Sequence, residues 1–554
     1  MTDKSYKTRS YNLLRGITSS QDPTEGVKLC INMYRDYENG GEALESIPGY
    51  RKIFSSGASI HNILISEDGK LIYVHAGEGL FCLHTSGGGD AERICDMADR
   101  GGCAIADGGV ALFSDGEKLI FLKGKDAIVI STDGSICACT VGSIFDGRLF
   151  LGGNPQLDGV IFYTTPIGDG GADIGIGGKI ERAYCRGTKD ILTCGSRLAI
   201  VNRRGVTLLS DSEGYPAMES YCGISPMGRA VVCDGRLVIL SDRGLITIGL
   251  EDGKIEHVGC DVDTRLGEGG WRISGIWCGY LLLHRGEELL LGDTRGMLND
   301  GWYLISPLMS YIGDRRVFRY CGVEMEGILS DRATLSDYSI HETPDKICIG
   351  EPTSMVTADG ETVYYSPEGE KKYLIYPTAM RDGGMGSPAV RLCTDGRLLL
   401  FGTEGGDLCI FNNDRHSEPE CDGMLPADQY SFDNHSVLYA VEMHVDDCGS
   451  PDMRKLCDGG LWLAMKCFTR TSPTVSISYD GQRLVERQIK PTISSFDELD
   501  FGSMSGGTER FAPVKIPERV SWCRRRIFIH SKEFCSPFGI SAISFKYRLH
   551  KKTN

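Results

Sequence analysis

A short grammar of strand, turn, strand, turn, strand recurs along this chain, and no other feature narrows its fold as much. The clearest copy is Arg229 to Leu250, RAVVCDGRLVILSDRGLITIGL. Two apolar runs, Val231 to Cys233 and Leu237 to Leu240, flank Asp234-Gly235, a dipeptide that tolerates the positive φ of a two-residue hairpin. A second turn at Asp242-Arg243-Gly244 reads as a three-residue loop with Gly in the left-handed position, and Leu245 to Leu250 supplies a third strand. The middle strand is a continuous apolar run without in/out alternation, so both of its faces are expected to be covered, as when small sheets stack on one another.

Equivalent leucines or valines recur at Leu71, Val110, Leu149, Leu198, Leu237 and Leu281, roughly 39 to 49 residues apart, and again at Leu398. That period is the length of one four-stranded propeller blade. A solenoid needs a shorter period and a sandwich needs none. The sequence therefore predicts an all-β chain with a six- or seven-bladed β-propeller, an N-terminal extended arm and a C-terminal β-sandwich or jelly-roll-like domain. The boundaries are an arm at 1–60, blades at 61–300, an inserted β-region or divergent blades at 301–390, the last propeller hairpin and a linker at 391–426, and the C-terminal domain at 427–554. That last region carries longer strand-like runs: VLYAVEMHV, LWLAMKCFT, TVSISYDG, RRIFIHS and SAISFKYRL. The 72 glycines fit many tight turns, while 20 prolines are ordinary usage and argue against a disordered chain.

Net charge of −16 opposes a protein that grips nucleic acid over most of its surface, since such binding rests on neutralising phosphates. No apolar run reaches the length of a membrane span and the first residues show no signal-peptide pattern, so synthesis in a cytoplasm is expected. The 22 cysteines lie singly within strand-like runs, where a thiol is a small buried hydrophobe. Cys137 and Cys139 are expected to point the same way from a strand, as core residues ahead of zinc or redox ligands.

The first 60 residues contain two tight reversals, at Asn39-Gly40-Gly41 and Pro48-Gly49. An arm of this kind either closes the propeller by supplying a strand or reaches a neighbouring subunit. Its sequence of Asn32, Met33, Tyr34, a glycine turn, Ala43-Leu44 and Ile47-Pro48-Gly49-Tyr50 resembles the opening of phage tail-hub or nozzle proteins of short-tailed viruses, including those termed packaged-DNA stabilisation proteins. RLFLGGNPQLDGVIFYT, Arg148 to Thr164, is similar to a blade of that family, and LLLFGTEGGDLCIFNND, Leu398 to Asp414, to its last propeller hairpin. SPDMRK, Ser450 to Lys455, followed by PTVSISYDG, resembles its C-terminal domain. Where the family often has a basic residue before the Pro-Gly, this chain has Glu45-Ser46.

The resemblance implies a non-enzymatic virion structural protein, made in the bacterial host cytoplasm and resident in the tail. It would form a ring with itself, contact portal or adaptor and distal tail proteins, extend the channel for double-stranded DNA without sequence-specific binding, and help retain packaged DNA. Because large aromatics and arginines dominate interface energetics, Tyr34, Tyr37 and Tyr50 in the arm and Arg524, Arg525 and Arg526 near the end are the subunit-interface candidates. The arginines belong to a basic set with Lys532, Lys546, Arg548, Lys551 and Lys552, whose plainer reading is a solvated face and basic tail and whose sharper one is a contact to an acidic neighbour surface or to DNA.

No catalytic, cofactor or metal residue is assigned, and no cofactor is expected. Sialidase-type Ser-x-Asp-x-Gly-x-Thr-Trp boxes are absent, only five tryptophans offer sugar platforms, and there is no HExxH, P-loop or strand-to-helix GxGxxG. Asp261 and Asp263 in CDVDTR suggest a calcium loop but lack its glycine and terminal glutamate, so solvated acids are the plainer reading. The alternatives are a cytoplasmic propeller serving as a protein-interaction scaffold and a carbohydrate-binding or glycosidase propeller.

Overall fold

Asp234 and Gly235 take φ values of 46° and 71°, the left-handed pair a two-residue hairpin needs. Around them Val232 pairs with Leu237 and Cys233 with Arg236. At the next turn Ser241 pairs with Gly244, so the loop is Asp242-Arg243 alone, one residue shorter than expected. Leu237 to Leu240 are buried on both faces. A fourth strand, Ile255–Val258, completes the sheet on its outer side; it is largely exposed, and its polar sequence carries little hydrophobic signal.

In the computed structural model, described residues are 6–305 apart from 21, 38–39, 86–90, 108–109, 169–173 and 287, then 389–412, 430, 432, 437–467, 471–480, 483–489, 511–518, 520–531 and 536–550, together with strand backbone between 315 and 377. Among them seven four-stranded antiparallel sheets follow one another. Six occupy residues 60–96, 104–131, 141–181, 190–222, 226–258 and 272–305. The seventh joins Ala389–Thr394, Leu399–Thr403 and Asp407–Phe411 to Tyr50–Ser55 from the N-terminal region. Each innermost strand packs on that of the next blade, and Ala389–Thr394 packs on Ile60–Ile65 of the first, so the ring closes. The fold is a seven-bladed β-propeller. Closure is held by Tyr50, fully buried among Phe432 at 4.6 Å, Phe401 at 4.8 Å and Phe411 at 5.4 Å between ring centroids.

Between blades six and seven lies a seven-stranded mixed sheet that is not a blade. Its strands fall between Arg315–Tyr320 and Lys372–Pro377, and Arg315–Tyr320 runs parallel to Lys346–Ile349. The turn at Gly369 and the basic residues Lys532, Lys551 and Lys552 lie outside the described residues.

The C-terminal domain is a two-sheet sandwich completed by the N-terminal region. In one sheet Phe538–His550 pairs with Arg454–Cys467 on one side. On its other side it pairs with Lys7–Ile17, from Lys7 opposite Tyr547 to Tyr11 opposite Ile543, and then with Leu44–Ser46. The second sheet runs Arg483–Gln488, Thr474–Tyr479, Arg525–Ser531, Tyr439–Glu442, Leu29–Ile31. Leu29–Ile31 also lies parallel to the outer strand of blade six, Trp302–Ile305, with Ile31 opposite Leu304. The sandwich sheet thus continues into the propeller. Gly16 pairs with Trp302 at this seam with φ +67°, and a Cβ there would collide with the Trp302 backbone. Leu13, Met33, Leu44, Val441, Leu463, Ile527 and Ile543 share one continuous core with Trp277, Leu282 and Trp302 of the propeller. The region expected to be an extended arm is therefore mostly sandwich strand, with one segment closing the ring.

Candidate functional site

Three of the six interface candidates are used inside the chain. Tyr34 is buried and stacks on Trp277, 5.9 Å between centroids. Tyr50 holds the ring closure described above. Arg525 is 2% exposed and its Nη1 donates to both oxygens of Glu518, at 2.8 and 3.1 Å, while its guanidinium lies 3.7 Å over the Phe545 ring. Tyr479 donates to the same Glu518, and Tyr11 OH lies 3.5 Å from Arg525 and donates to Asp446 at 2.7 Å. Arg9 grips Asp446 at 3.0 and 3.2 Å. This network bolts the first strand to the sandwich, so Arg525 is corrected from a contact residue to an internal one. The physical reason is strand alternation: Arg525 points inward where Arg524 and Arg526 point out.

Tyr37 is half-buried, its hydroxyl donating to Asp293 at 2.5 Å and its ring lying under Arg295 at 4.1 Å and Arg35 at 4.6 Å. Burial first, then Asp293, push its phenol up to about 12. It borders a cavity of about 320 Å3 with Arg15, Asp293 and Asp300. Arg524 and Arg526 are exposed. Arg526 pairs with Glu442, which Lys28 also reaches at 2.9 Å, whereas Arg524 has no ion-pair partner among the described residues. The sequence reading missed Trp462, which is 43% exposed on the outer face of the sandwich with Lys515 5.2 Å over its ring. Its signal was available, because Trp462 alternates with the inward Leu461 and Leu463.

The second place of interest is the axis of the propeller. A cavity of about 470 Å3 is lined by innermost-strand residues of blades two to six, among them Ser143, Asp190, Thr193, Arg229 and Ser274. Arg229, Arg272 and Arg391 stand near the starts of three adjacent innermost strands, Pro226–Cys233, Arg272–Trp277 and Ala389–Thr394, which pack side by side. Asp190 occupies the corresponding place in blade four, but its carboxylate accepts the backbone N–H groups of Ile191 at 3.0 Å and Ala230 at 2.9 Å. Burial raises the proton affinity of that carboxyl, against the pull of Arg229. Arg391 donates through Nε to the His61 carbonyl. Burial, then Arg229 and Arg272, lower the Arg391 proton affinity. His284 lies opposite Arg272 in register, with Ser274 Oγ 2.5 Å from its Nδ1. Sequence reasoning passed over the arginines, although RAVVC, RISGIW and RLCTDG show them at matching points of the repeat.

The calcium reading of Asp261 and Asp263 finds other uses for both acids. Asp261 accepts from the Ser19 backbone and hydroxyl, each at 2.8 Å, and Asp263 lies 3.2 Å from His257 Nε2. Cys260 Sγ sits 3.5 Å from the opposite ring nitrogen, Nδ1, and one donor atom from each of His257, Cys260 and Asp263 lies within 4.8 Å of the other two. Cys137 and Cys139 do not share a strand. Cys137 ends a one-turn helix, Gly134–Cys137, capped by Asp133, and burial raises both thiols, to about 11 and about 12. Among the described residues no helix is long and apolar enough to cross a membrane.

No protein-family model matches the chain and no curated protein matches it. Solved structures similar to part of it include the Pan2 WD40 domain of Neurospora crassa, at 6% identity and TM-score 0.38 over 66% of this chain and 94% of that one. BamB from Moraxella catarrhalis gives 12% identity and TM-score 0.32 over 66% and 97%. A catalytically inactive virginiamycin B lyase from Staphylococcus aureus gives 12% identity and TM-score 0.35 over 66% and 98%.

Proposed function

We propose that this chain is a non-enzymatic structural subunit of a phage tail, a ring-forming hub, nozzle or head-to-tail connector that extends the DNA channel and helps retain packaged DNA. The observation that carries the reading is the seam at Ile31 and Leu304, where a sandwich sheet runs on into blade six and one core spans both domains. A part that transmits load between neighbours needs such a block, because domains joined only by a linker move by default. The resemblance of the N-terminal segment, the blade at Arg148 to Thr164 and the C-terminal strands to tail-hub proteins supports the same reading. Ring contacts would fall on the outer faces of the sandwich, with Trp462 as anchor on one sheet and Arg524 and Arg526 as anchors at the other. The conduit belongs to the ring and not to the propeller axis, whose cavity of about 470 Å3 is of small-molecule size.

Light scattering across concentration, followed by electron microscopy, tests this on the full chain alone and with the products of neighbouring genes. A closed ring, alone or on an adaptor, is expected. A monomer that ignores those partners and captures a glycan or a host protein overturns it.

A further inference from the structure

We propose that the mouth of the propeller channel is a binding site for a small polyanion, its charge held by the guanidiniums of Arg229, Arg272 and Arg391. The three arginines come from three neighbouring innermost strands, each beside a point where strand register shifts: between Pro226 and Ala230, between Ile273 and Gly275, and between Ala389 and Arg391. Irregularities of this kind re-aim side chains at strand ends. Although acidic residues outnumber basic ones 75 to 59 in the chain, none of the three guanidiniums forms an ion pair within 4 Å among the described residues, and the Asp190 carboxyl is the acid on which Arg229 acts. The acid nearest in the repeat, Asp190, is occupied by two backbone amides.

Arg229 and Arg272 both act against the charge on Arg391, and an anion of two or more charges removes that repulsion while taking charge-assisted hydrogen bonds. Behind Arg229 the cavity is walled by Ile105, Ile191 and Val231, with Ser143, Thr193 and Asp190 among them. That lining suits a compact ligand with a charged head and a small, partly apolar body. Phosphate and carboxylate satisfy the same arginines, so the experiment separates them.

Calorimetric titration of the full chain with inorganic pyrophosphate and, separately, citrate, at constant ionic strength, tests the site. Saturable single-site binding by at least one of them is expected, and the tighter one names the acid group. R229Q/R272Q should weaken it by about tenfold for each charged hydrogen bond lost. Without ligand, the same variant should melt no lower than wild type, since both arginines are exposed and the change relieves repulsion. R524Q/R526Q, remote in the sandwich, should bind as wild type does. If the double variant fails to fold, R229Q alone must still weaken binding by about tenfold. Absence of saturable binding by either anion, unchanged affinity in the arginine variants, or an equal loss in R524Q/R526Q overturns the proposal.

Discussion

His284 offers the sharpest test of the channel mouth, because its proton is opposed by both burial and charge. Burial first, then Arg272, Arg391 and Arg229, hold the imidazole down to about 4 from an ordinary 6.5. With the folded value below the unfolded one, the unfolded chain takes up the proton first. Stability carried by the neutral ring is therefore whole above pH 6.5 and is lost as pH falls toward 4. At roughly 1.4 kcal/mol per pH unit, that interval corresponds to about 3 kcal/mol. Urea unfolding followed by circular dichroism should show wild type losing about that much more than H284Q between pH 6.5 and 4, the difference isolating this ring from the carboxylates. In R272Q, which lacks the arginine with the largest effect on His284, the folded value rises, so the loss should still begin near pH 6.5 but end above pH 4 and be smaller in total. If H284Q runs parallel to wild type over the whole interval, or R272Q superimposes on wild type, the imidazole does not sit in an arginine field and this account of the channel is wrong.

Three further outcomes are expected. Tyr50→Ala should cost about 3–5 kcal/mol in thermal unfolding and expose blade seven to protease, because it empties the aromatic box at the ring closure; a cost under about 1 kcal/mol would show that the strand does not close the ring. Arg525→Met alone should cost about 3–5 kcal/mol by leaving Glu518 buried and unpaired, and R525M/E518Q should recover much of it; equal losses in the single and double variants would remove the ion pair from the explanation. R524Q/R526Q should change stability by no more than about 0.5 kcal/mol while weakening assembly with neighbouring gene products in light scattering; unimpaired assembly would move the contact elsewhere.

The blades were legible because their second strands are buried on both faces. Leu237 to Leu240 and Leu281 to Leu283 keep their apolar runs wherever the repeat drifts, and Asp234-Gly235 marks the turn by the φ it needs. The outer strands were not, since Ala217–Cys222 and Ile255–Val258 face solvent and their composition is free to vary. The interface candidates were chosen by residue type, and type does not report direction. Arg525 and Arg526 differ by one position in one strand, yet one is internal and the other exposed. The weaving of residues 7–46 into the sandwich was hidden for another reason: its partners lie more than 400 positions away, at Tyr547 and Val441, and no local pattern records a pairing at that distance.

The pairing of Lys7 with Tyr547 also sets a schedule for biogenesis. A ribosome adding roughly 5–20 residues per second takes on the order of half a minute to two minutes to make the partner of the first strand. Through that time residues 7–11 lack their partner, although Lys7–Ile17 can already meet Glu25–Val27 and Met33–Arg35 can meet Leu44–Ser46, and an edge left open invites wrong pairing between nascent chains. A transcript cut short, or a protease that removes the last strand, leaves the first strand without its partner and the sandwich incomplete.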